Sequence, residues 1–599
     1  MRLNASDLGQ FQRLEWKGEN DVHDISCDVA IIGGGPGGST VASFLRKYAP
    51  NLNVHVFERE RFPRDHVGES QLPPISAVLQ ELGCWDKVEA ANFPIKVGAT
   101  YRWGKTPELW DFEFLPLEEF HDEPRPAKYE GQRLRTAFQV DRAVYDEILL
   151  RHAQELGANV HEECAVASVQ HEADKVTGLT LKDGRRVSAR YYVDATGHVG
   201  TLRRALGVRT EIPTVLQNIA IWDYWENAKW AVEIGVGGTR IQIMSLKHGW
   251  LWFIPLSPTR TSIGFVCPAS HYKSLGVTPE ELYEQAVAAD PRIVALCEGG
   301  RRRGPVLTTK DWSFVAERTY GANWFLVGEA LGFADPILSA GLTLTHTGAR
   351  ELAYTILELE RGQHDPRWLK SSYDALQTKR VRQHIRFADF WYAANGQFAD
   401  LQDHCQSIAS EAGLSLTSRE AWRWLAQGGF TNDCSGQVGL GGCDLSGVKQ
   451  IAVRFADAST SWRLNDFNVF ALQLNGAKEE LTPTYVEGRI VGVPSLVRGS
   501  RRLALHGTFE TIHELLAKRP LDIGTIHQTL WNALVANEGP ELARVSLHHY
   551  LQALEVMLAE GWVVGKLDPR KPRITLTTPA ESRYIHANRD ALPDRPTAQ

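Results

Sequence analysis

The stretch CDVAIIGGGPGGSTVASFLRKY, residues 27–48, decides how this chain begins to fold. The apolar run Val29–Ile32 predicts a buried strand, and the residues after Pro36 carry the apolar spacing of an amphipathic helix. Between them stands Gly33-x-Gly35-x-x-Gly38. The first glycine permits the tight turn, the second lets a phosphate approach the backbone, and the third lets helix and strand pack closely. The N-terminus of the helix adds N–H groups for that phosphate. A second strand, NVHVFERE, ends near Glu58, twenty residues after Gly38. A carboxylate there accepts from ribose hydroxyls and disfavours a 2′-phosphate, which points to FAD or NAD rather than NADP.

At 599 residues the chain is too long for one ordinary core, and three or four domain-sized units are expected. With 43% hydrophobic and 23% charged residues it has a globular composition. A net charge of −7 argues against broad nonspecific binding to nucleic acid. The polar start MRLNASDLGQFQRLEWKGEN has no apolar core of a signal peptide, and no apolar run approaches a membrane span, so the expected compartment is the cytoplasm. Eight cysteines are scattered without a CxxC or CxxH pattern. Zinc or a disulfide at Cys434 and Cys443 is a weaker reading than two ordinary thiols, and no metal is expected.

Two later segments repeat the pattern of a strand running into glycine. RRVSARYYVDATGHVGTLRRALG (185–207) ends its strand at Asp194-Ala195-Thr196-Gly197, and ANWFLVGEALGFADPILSAGLTLTHTGARELA (322–353) runs through Gly328-Glu329 and Asp335-Pro336 into a helix. FQVDRAVYDEILLRHAQELGANVH (138–161) supplies a strand, a helix from about Asp141, and another strand. This layout resembles the FAD-dependent monooxygenase superfamily with the aromatic hydroxylase type of fold. The resemblance implies an α/β chain: a Rossmann-type FAD-binding domain with an inserted antiparallel substrate sheet. It implies flavin contacts at Gly33, Gly35, Gly38, Glu58, Arg142, Gly328, Glu329 and Asp335. Gly328-Glu329 stands where Gly-Asp is usual in the family, so the carboxylate is kept one methylene longer. No second GxGxxG follows, and reduced FAD is therefore expected from a separate NAD(P)H-dependent flavin reductase.

HGWLWFIPLS (248–257) and FPIKVGATYRWG (93–104) narrow the family. Gly249-Trp250-Leu251-Trp252-Phe253-Ile254-Pro255 matches the GWxWxIP segment of flavin-dependent halogenases at every fixed position, and Lys96 matches their lysine. The resemblance implies that reduced FAD and O2 convert chloride or bromide to hypohalous acid, which travels through a tunnel to Lys96 beside the substrate. An apolar surround of Phe93, Pro94, Ile95 and Val97 would lower the amine pKa, which suits a lysine that holds or carries an electrophilic halogen. HVGESQLPP (66–74) resembles the family's Gly-Glu-Ser stretch, placing Glu69 and Ser70 with Trp250, Trp252, Ile254 and Pro255 between flavin and substrate. Ser339, Ala340 and Gly341 match its halide-binding segment, where backbone N–H groups solvate the anion. Tryptophan-specific members carry glutamate just before that serine; Leu338 here favours phenolic, pyrrolic or enolisable substrates, free or carrier-bound. Asp311, in TTKDWSFVAER (308–318), matches a strand that approaches flavin in this branch; a structural strand-end aspartate is the preferred reading.

The flavoprotein pattern ends near residue 375. The expected division is an extension at 1–25 and a catalytic domain at 26–375, with its substrate sheet at about 92–135 and 210–310. A C-terminal helical region at 376–500 and a winged-helix-like module at 501–599 follow. In that module two short helices, the second capped by Asp522, precede a helix with Leu547, Leu551, Leu554 and Leu558 on one face and a hairpin around Asp568–Pro572. Lys566, Arg570, Lys571 and Arg573 would suit a DNA-binding wing, but His548, His549, Tyr550 and Gln552 leave the would-be recognition helix short of basic residues. A docking or lid module is preferred to a nucleic-acid reader. Two other activities stay open from sequence: a hydroxylase or epoxidase on the same fold, and a flavin-containing DNA-binding regulator.

Overall fold

The computed structural model describes residues 24–103, 107–214, 217–310, 313–394, 449–450, 462–499, 501–579 and 581–590. Asp311, Gly104, Trp422, Trp424, Cys434 and Cys443 lie outside the described residues. Val29 and Ile31 join one core cluster while Ala30 and Ile32 join another, so the strand Ile25–Ile32 is buried on both faces, as a central parallel strand must be. It pairs in parallel with Val54–Phe57 on one side and Arg186–Asp194 on the other; Asn159–His161 and Trp324–Leu326 extend the sheet outward. The glycine spacing works as the sequence predicts. Gly33 has φ +101°, and a Cβ at Gly38 would stand 1.9 Å from the Gly33 carbonyl oxygen. Helices Pro36–Tyr48 and Gly341–Arg361 pack against each other over this sheet.

A second, larger sheet is mostly antiparallel. Its strands run in the order Arg301–Arg302, Asn218–Glu226, Arg260–Pro268, Gly249–Pro255, Gly238–Leu246, Ile95–Arg102, Leu109–Glu113 and Ile585–Ala587. Gly238–Leu246 and Ile95–Arg102 pair in parallel. On one face Ile221, Leu251, Phe253, Ile263 and Phe265 form a core with helices Pro279–Ala288 and Pro291–Cys297. The opposite face carries the cavity described below.

The C-terminal third departs from the expected division in three ways. Residues 478–504 are not helical: Lys478–Val486, Arg489–Arg498 and Arg501–Ala504 form an antiparallel meander. Its first turn is Glu487-Gly488, both at positive φ, the two-residue hairpin connection that matches strand twist. Second, the helices Gly507–Ala517, Ile523–Glu538 and Pro540–Ala559 stand on a sheet whose middle strand, Val469–Leu472, comes from before residue 501. Val563–Lys566 pairs with that strand, and the run after Asp568–Pro572 forms no strand. The Asn468 carboxamide donates to the Asp568 and Lys571 carbonyls, and Asn465 exchanges bonds with Leu576, so side chains hold this run where a ladder was expected.

Third, the chain leaves the C-terminal module and returns to the catalytic sheet. Ile585–Ala587 adds an edge strand beside Leu109–Glu113. Beyond it, one carboxylate, Asp590, accepts from Arg240 at 2.7 Å and Arg292 at 2.6 Å, both buried. Arg240 also pairs with Asp111 and Glu113, so a guanidinium stands among the only carboxylate–histidine cluster of metal-binding shape among the described residues, Asp111, Glu113 and His586. No helix among the described residues is long and apolar enough to cross a membrane. Removing one partner from a buried charge pair leaves the other desolvated and unpaired. Asp590→Ala is therefore expected to lower stability by about 3 kcal/mol in denaturant titration, although the residue lies far along the chain from the sheet it secures.

Candidate functional site

A cavity of about 1170 Å³ runs from the glycine turn to the inner face of the large sheet. Gly33, Gly35 and Glu58 line one end; Gly197, Gly328 and Glu329 line the middle; Trp250, Trp252 and Gly341 line the far end. Its volume and lining suit a dinucleotide. A Cβ at Gly33 would meet the Ala195 carbonyl at 2.4 Å, so the turn is bare backbone where a pyrophosphate would lie. Glu58 ends the second strand and accepts from the Gly34 N–H at 2.6 Å. These residues fit FAD, which would place its adenosine by Glu58 and its ring by the tryptophans.

The two tryptophans follow from strand geometry. Residues two apart share a face, and in Gly249–Pro255 that face is Trp250, Trp252 and Ile254, all lining the cavity, while Pro255 does not. Ile241 and Ile243 continue the wall on the neighbouring strand, Trp222 on another. Trp252 lies across Gly264, its cross-strand partner, where a Cβ would come within 2.2 Å of the indole. Each indole N–H is anchored. Trp250 donates to the Tyr392 hydroxyl at 2.7 Å and Trp252 to Ser262 Oγ at 3.1 Å.

Lys96 reaches this face through a bulge. Lys96 is opposite Thr239 and Gly98 is opposite Arg240, so Val97 is an extra residue with no partner. That insertion reverses the alternation. Ala99 and Tyr101 share a face with Ile241 and Ile243; beyond the bulge it is Lys96, with Thr239, that shares it. Gly98 makes the kink possible, since a Cβ there would sit 2.1 Å from the Phe112 carbonyl oxygen. Lys96 is 2% exposed, donates to the Gln71 carbonyl at 3.1 Å and lies 5.3 Å from the centre of the Phe114 ring. Burial pushes its pKa down to about 7. It is not among the residues that line the cavity.

The segment from Val67 to Gln71 spans the gap. Arg142 Nη1 donates to the Val67 and Gly68 carbonyls, and its Nε and Nη2 are taken by Asp146. Arg142 therefore lines the cavity and at the same time anchors this segment. Glu69 and Ser70 both line the cavity. Glu69 accepts from the Tyr224 hydroxyl at 3.0 Å and from Ser262, and burial pushes its carboxyl up to about 7. Asp335, by contrast, does not line the cavity. It caps Ile337, accepts from Tyr392, and is raised to about 7 by burial, so it holds the Trp250 anchor in place of a flavin contact.

Ser339 adopts a left-handed conformation (φ +56°) and Ala340 a right-handed one, a succession that turns N–H groups into one concavity. Ser339 and Gly341 line the cavity; Ala340 is buried just behind. Tyr392, which the sequence marks only as part of an aromatic helix packing on the catalytic domain, anchors Trp250, while Tyr224, Ser262 and Trp222 are neighbours that sequence reasoning missed. Trp222 pairs across the sheet with the same Gly264 that receives Trp252, a register that only the folded sheet reveals.

The Lys96 shift has a thermodynamic consequence. Between pH 10.5 and about 7 the unfolded chain takes up a proton at this lysine that the folded protein does not, so stability falls as pH drops through that window. Lys96→Met removes the effect. The variant is expected to gain stability over the parent progressively as pH falls from 10.5 to about 7, and to hold a constant advantage below, in denaturant titrations across pH.

Residues 28–123 and 117–400 match the family model described as tryptophan halogenase. The 1H-pyrrole-2-carbonyl-(peptidyl-carrier protein) chlorinase of Pseudomonas fluorescens is 32% identical over 397 residues, covering 64% of this chain and 87% of that one. Among solved structures, the myxobacterial chondrochloren halogenase CndH is 27% identical with a TM-score of 0.56, over 67% of this chain and 93% of its own. The flavin-dependent halogenase CmlS shares the fold over 93% of this chain and 99% of its own, with a TM-score of 0.68 at 23% identity. The CmlS likeness thus extends through most of the C-terminal third. With a dinucleotide cavity, a tryptophan wall and a desolvated lysine on one sheet face, the chain belongs to the tryptophan halogenase family and is an FAD-dependent halogenase.

Proposed function

We propose that the enzyme installs chlorine or bromine on an electron-rich phenolic, pyrrolic or enolisable carbon held beside Lys96. The observation that carries this reading is the separation of Lys96 from the cavity, although both belong to the same sheet face. Reduced FAD, when bound, supplies with O2 the oxidising power that makes hypohalous acid from halide. Gly33, Gly35, Gly38 and Glu58 would hold the adenosine diphosphate half, and Gly328 and Glu329 the ribityl chain. The N–H groups around Ser339, Ala340 and Gly341 would solvate the halide. Trp250, Trp252 and Ile254 exclude an organic substrate from the cavity, so only a small oxidant passes.

Lys96 then orients the halogen. With a pKa about 7 it offers either an ammonium that hydrogen-bonds and polarises hypohalous acid or an amine that accepts the halogen. Leu338 stands where tryptophan-specific relatives carry a glutamate, which favours substrates acidic or electron-rich enough to react without that base. The pyrrole acceptor named for the Pseudomonas relative supports the same class. The one dinucleotide motif of the sequence is taken by FAD, so reducing equivalents come from a separate NAD(P)H-dependent flavin reductase.

Phenols and pyrroles, free or carrier-bound, incubated with enzyme, reduced FAD, O2 and bromide are expected to gain one bromine by mass spectrometry; an oxygenated product formed without halide would instead make the enzyme a hydroxylase. Lys96→Ala is expected to cut halogenation at least about 100-fold while oxidation of reduced flavin continues. Replacing Trp250 and Trp252 together by alanine is expected to release peroxide or to oxygenate substrate directly, and normal halogenation with unchanged peroxide would return both tryptophans to a purely structural role.

A further inference from the structure

Between the cavity and Lys96 lie two polar side chains without partners. Ser70 and Gln139 face each other in an isolated antiparallel bridge, flanked by bonds from Gln71 N–H to the Phe138 carbonyl (3.1 Å) and from Val140 N–H to the Glu69 carbonyl (2.8 Å). Gln139 N–H donates to the Pro94 carbonyl at 3.0 Å, and Ala137 pairs with Lys96. Alternation therefore turns Ser70, Gln139 and Lys96 to one face, the first two directly opposite and the last two diagonal neighbours. Ser70 lines the cavity whereas Gln139 and Lys96 do not, so Gln139 stands between them.

Gln139 is 0% exposed, and neither its Oε1 nor its Nε2 has a hydrogen-bond partner; Ser70 Oγ has none either. A buried carboxamide without partners is costly and rare in a native protein. A ligand that completes it must be small, must donate as well as accept, and must leave hydroxyl and amide groups intact. Hypohalous acid has one O–H donor and an acceptor oxygen. Thiols and thioethers are the side chains that oxidants attack first, and neither Ser70 nor Gln139 carries sulfur.

We infer that Ser70 and Gln139 form the polar track that hands hypohalous acid from the cavity to Lys96, with Gln139 as the positioning residue of the transfer. The inference rests on the proposed delivery through Lys96. At the end of the track the Lys96 N–H and the halogen–oxygen bond break while nitrogen–halogen and O–H bonds form, releasing water.

The test turns over the holoenzyme with reduced FAD, O2 and chloride at pH 8 without substrate. Oxidising equivalents escaping to solution are trapped with monochlorodimedone, and those retained on the desalted protein are titrated with a thiol. The parent is expected to retain equivalents that Lys96→Ala does not. Gln139→Leu is expected to cut the retained fraction at least fivefold and raise the escaping fraction to match, with the total per flavin unchanged, a balance that general misfolding would not preserve. Ser70→Ala should shift the partition the same way at least twofold, and it decides the matter if Gln139→Leu does not fold. An unchanged partition in the folded variants, with Lys96→Ala still losing its retained fraction, overturns the track. Equal retention in the parent and Lys96→Ala overturns delivery through Lys96 itself.

Discussion

A strand presents its side chains to alternate faces, so a regular pairing of Ile95–Arg102 with Gly238–Leu246 would point Lys96 away from the tryptophans. Val97, the unpaired residue of the bulge, reverses that alternation, and Gly98 gives the backbone room to do so. The placement of the lysine on the cavity side of the sheet, its burial against Phe114, and its contact with the segment that carries Glu69 all depend on this one inserted residue. Burial then does the chemistry. A lysine stripped of water and offered one carbonyl favours its neutral form far more than an exposed lysine does.

The wall beside it is held by hydrogen bonds as much as by packing. Trp250 is tied through Tyr392 to Asp335, just before Ser339–Gly341, and Trp252 through Ser262 to the group around Glu69 and Tyr224. Each indole is thus locked by its one donor to a residue from another strand, helix or loop. Both carboxyls in these networks titrate near neutrality because burial outweighs their hydrogen bonds. The wall is fixed from both ends by these bonds.

The parts of this site legible in sequence are those governed by neighbours along the chain. The glycine turn, the helix after it, Glu58 at the second strand end and the shared face of Trp250 and Trp252 each follow from local periodicity and sterics. The anchoring roles of Asp335 and Arg142 are not legible in sequence, because their partners Tyr392 and the Val67–Gly68 carbonyls lie far away along the chain. The Val97 bulge was invisible because it is a property of two strands together. In the C-terminal third, Val469–Leu472 took the ladder position expected of residues after Pro572 because it forms four backbone pairs with Val563–Lys566, whereas the later run is held by two asparagines. Glu487-Gly488, by contrast, was a readable hairpin turn between β-branched runs, and the expectation of helix there ignored it.

The strand Ile585–Ala587 gives the order of synthesis a part in assembling the enzyme. Leu109–Glu113 is translated early, yet its outer edge finds a partner only after more than 470 further residues have left the ribosome. Until then the sheet that carries Lys96 presents an open row of backbone N–H and C=O groups, the kind of edge on which nascent chains pair wrongly. Arg240 and Arg292 precede their shared partner Asp590 by 350 and 298 residues. A chain without residues 585–587 therefore carries an unfinished sheet, with the edge beside Leu109–Glu113 left open.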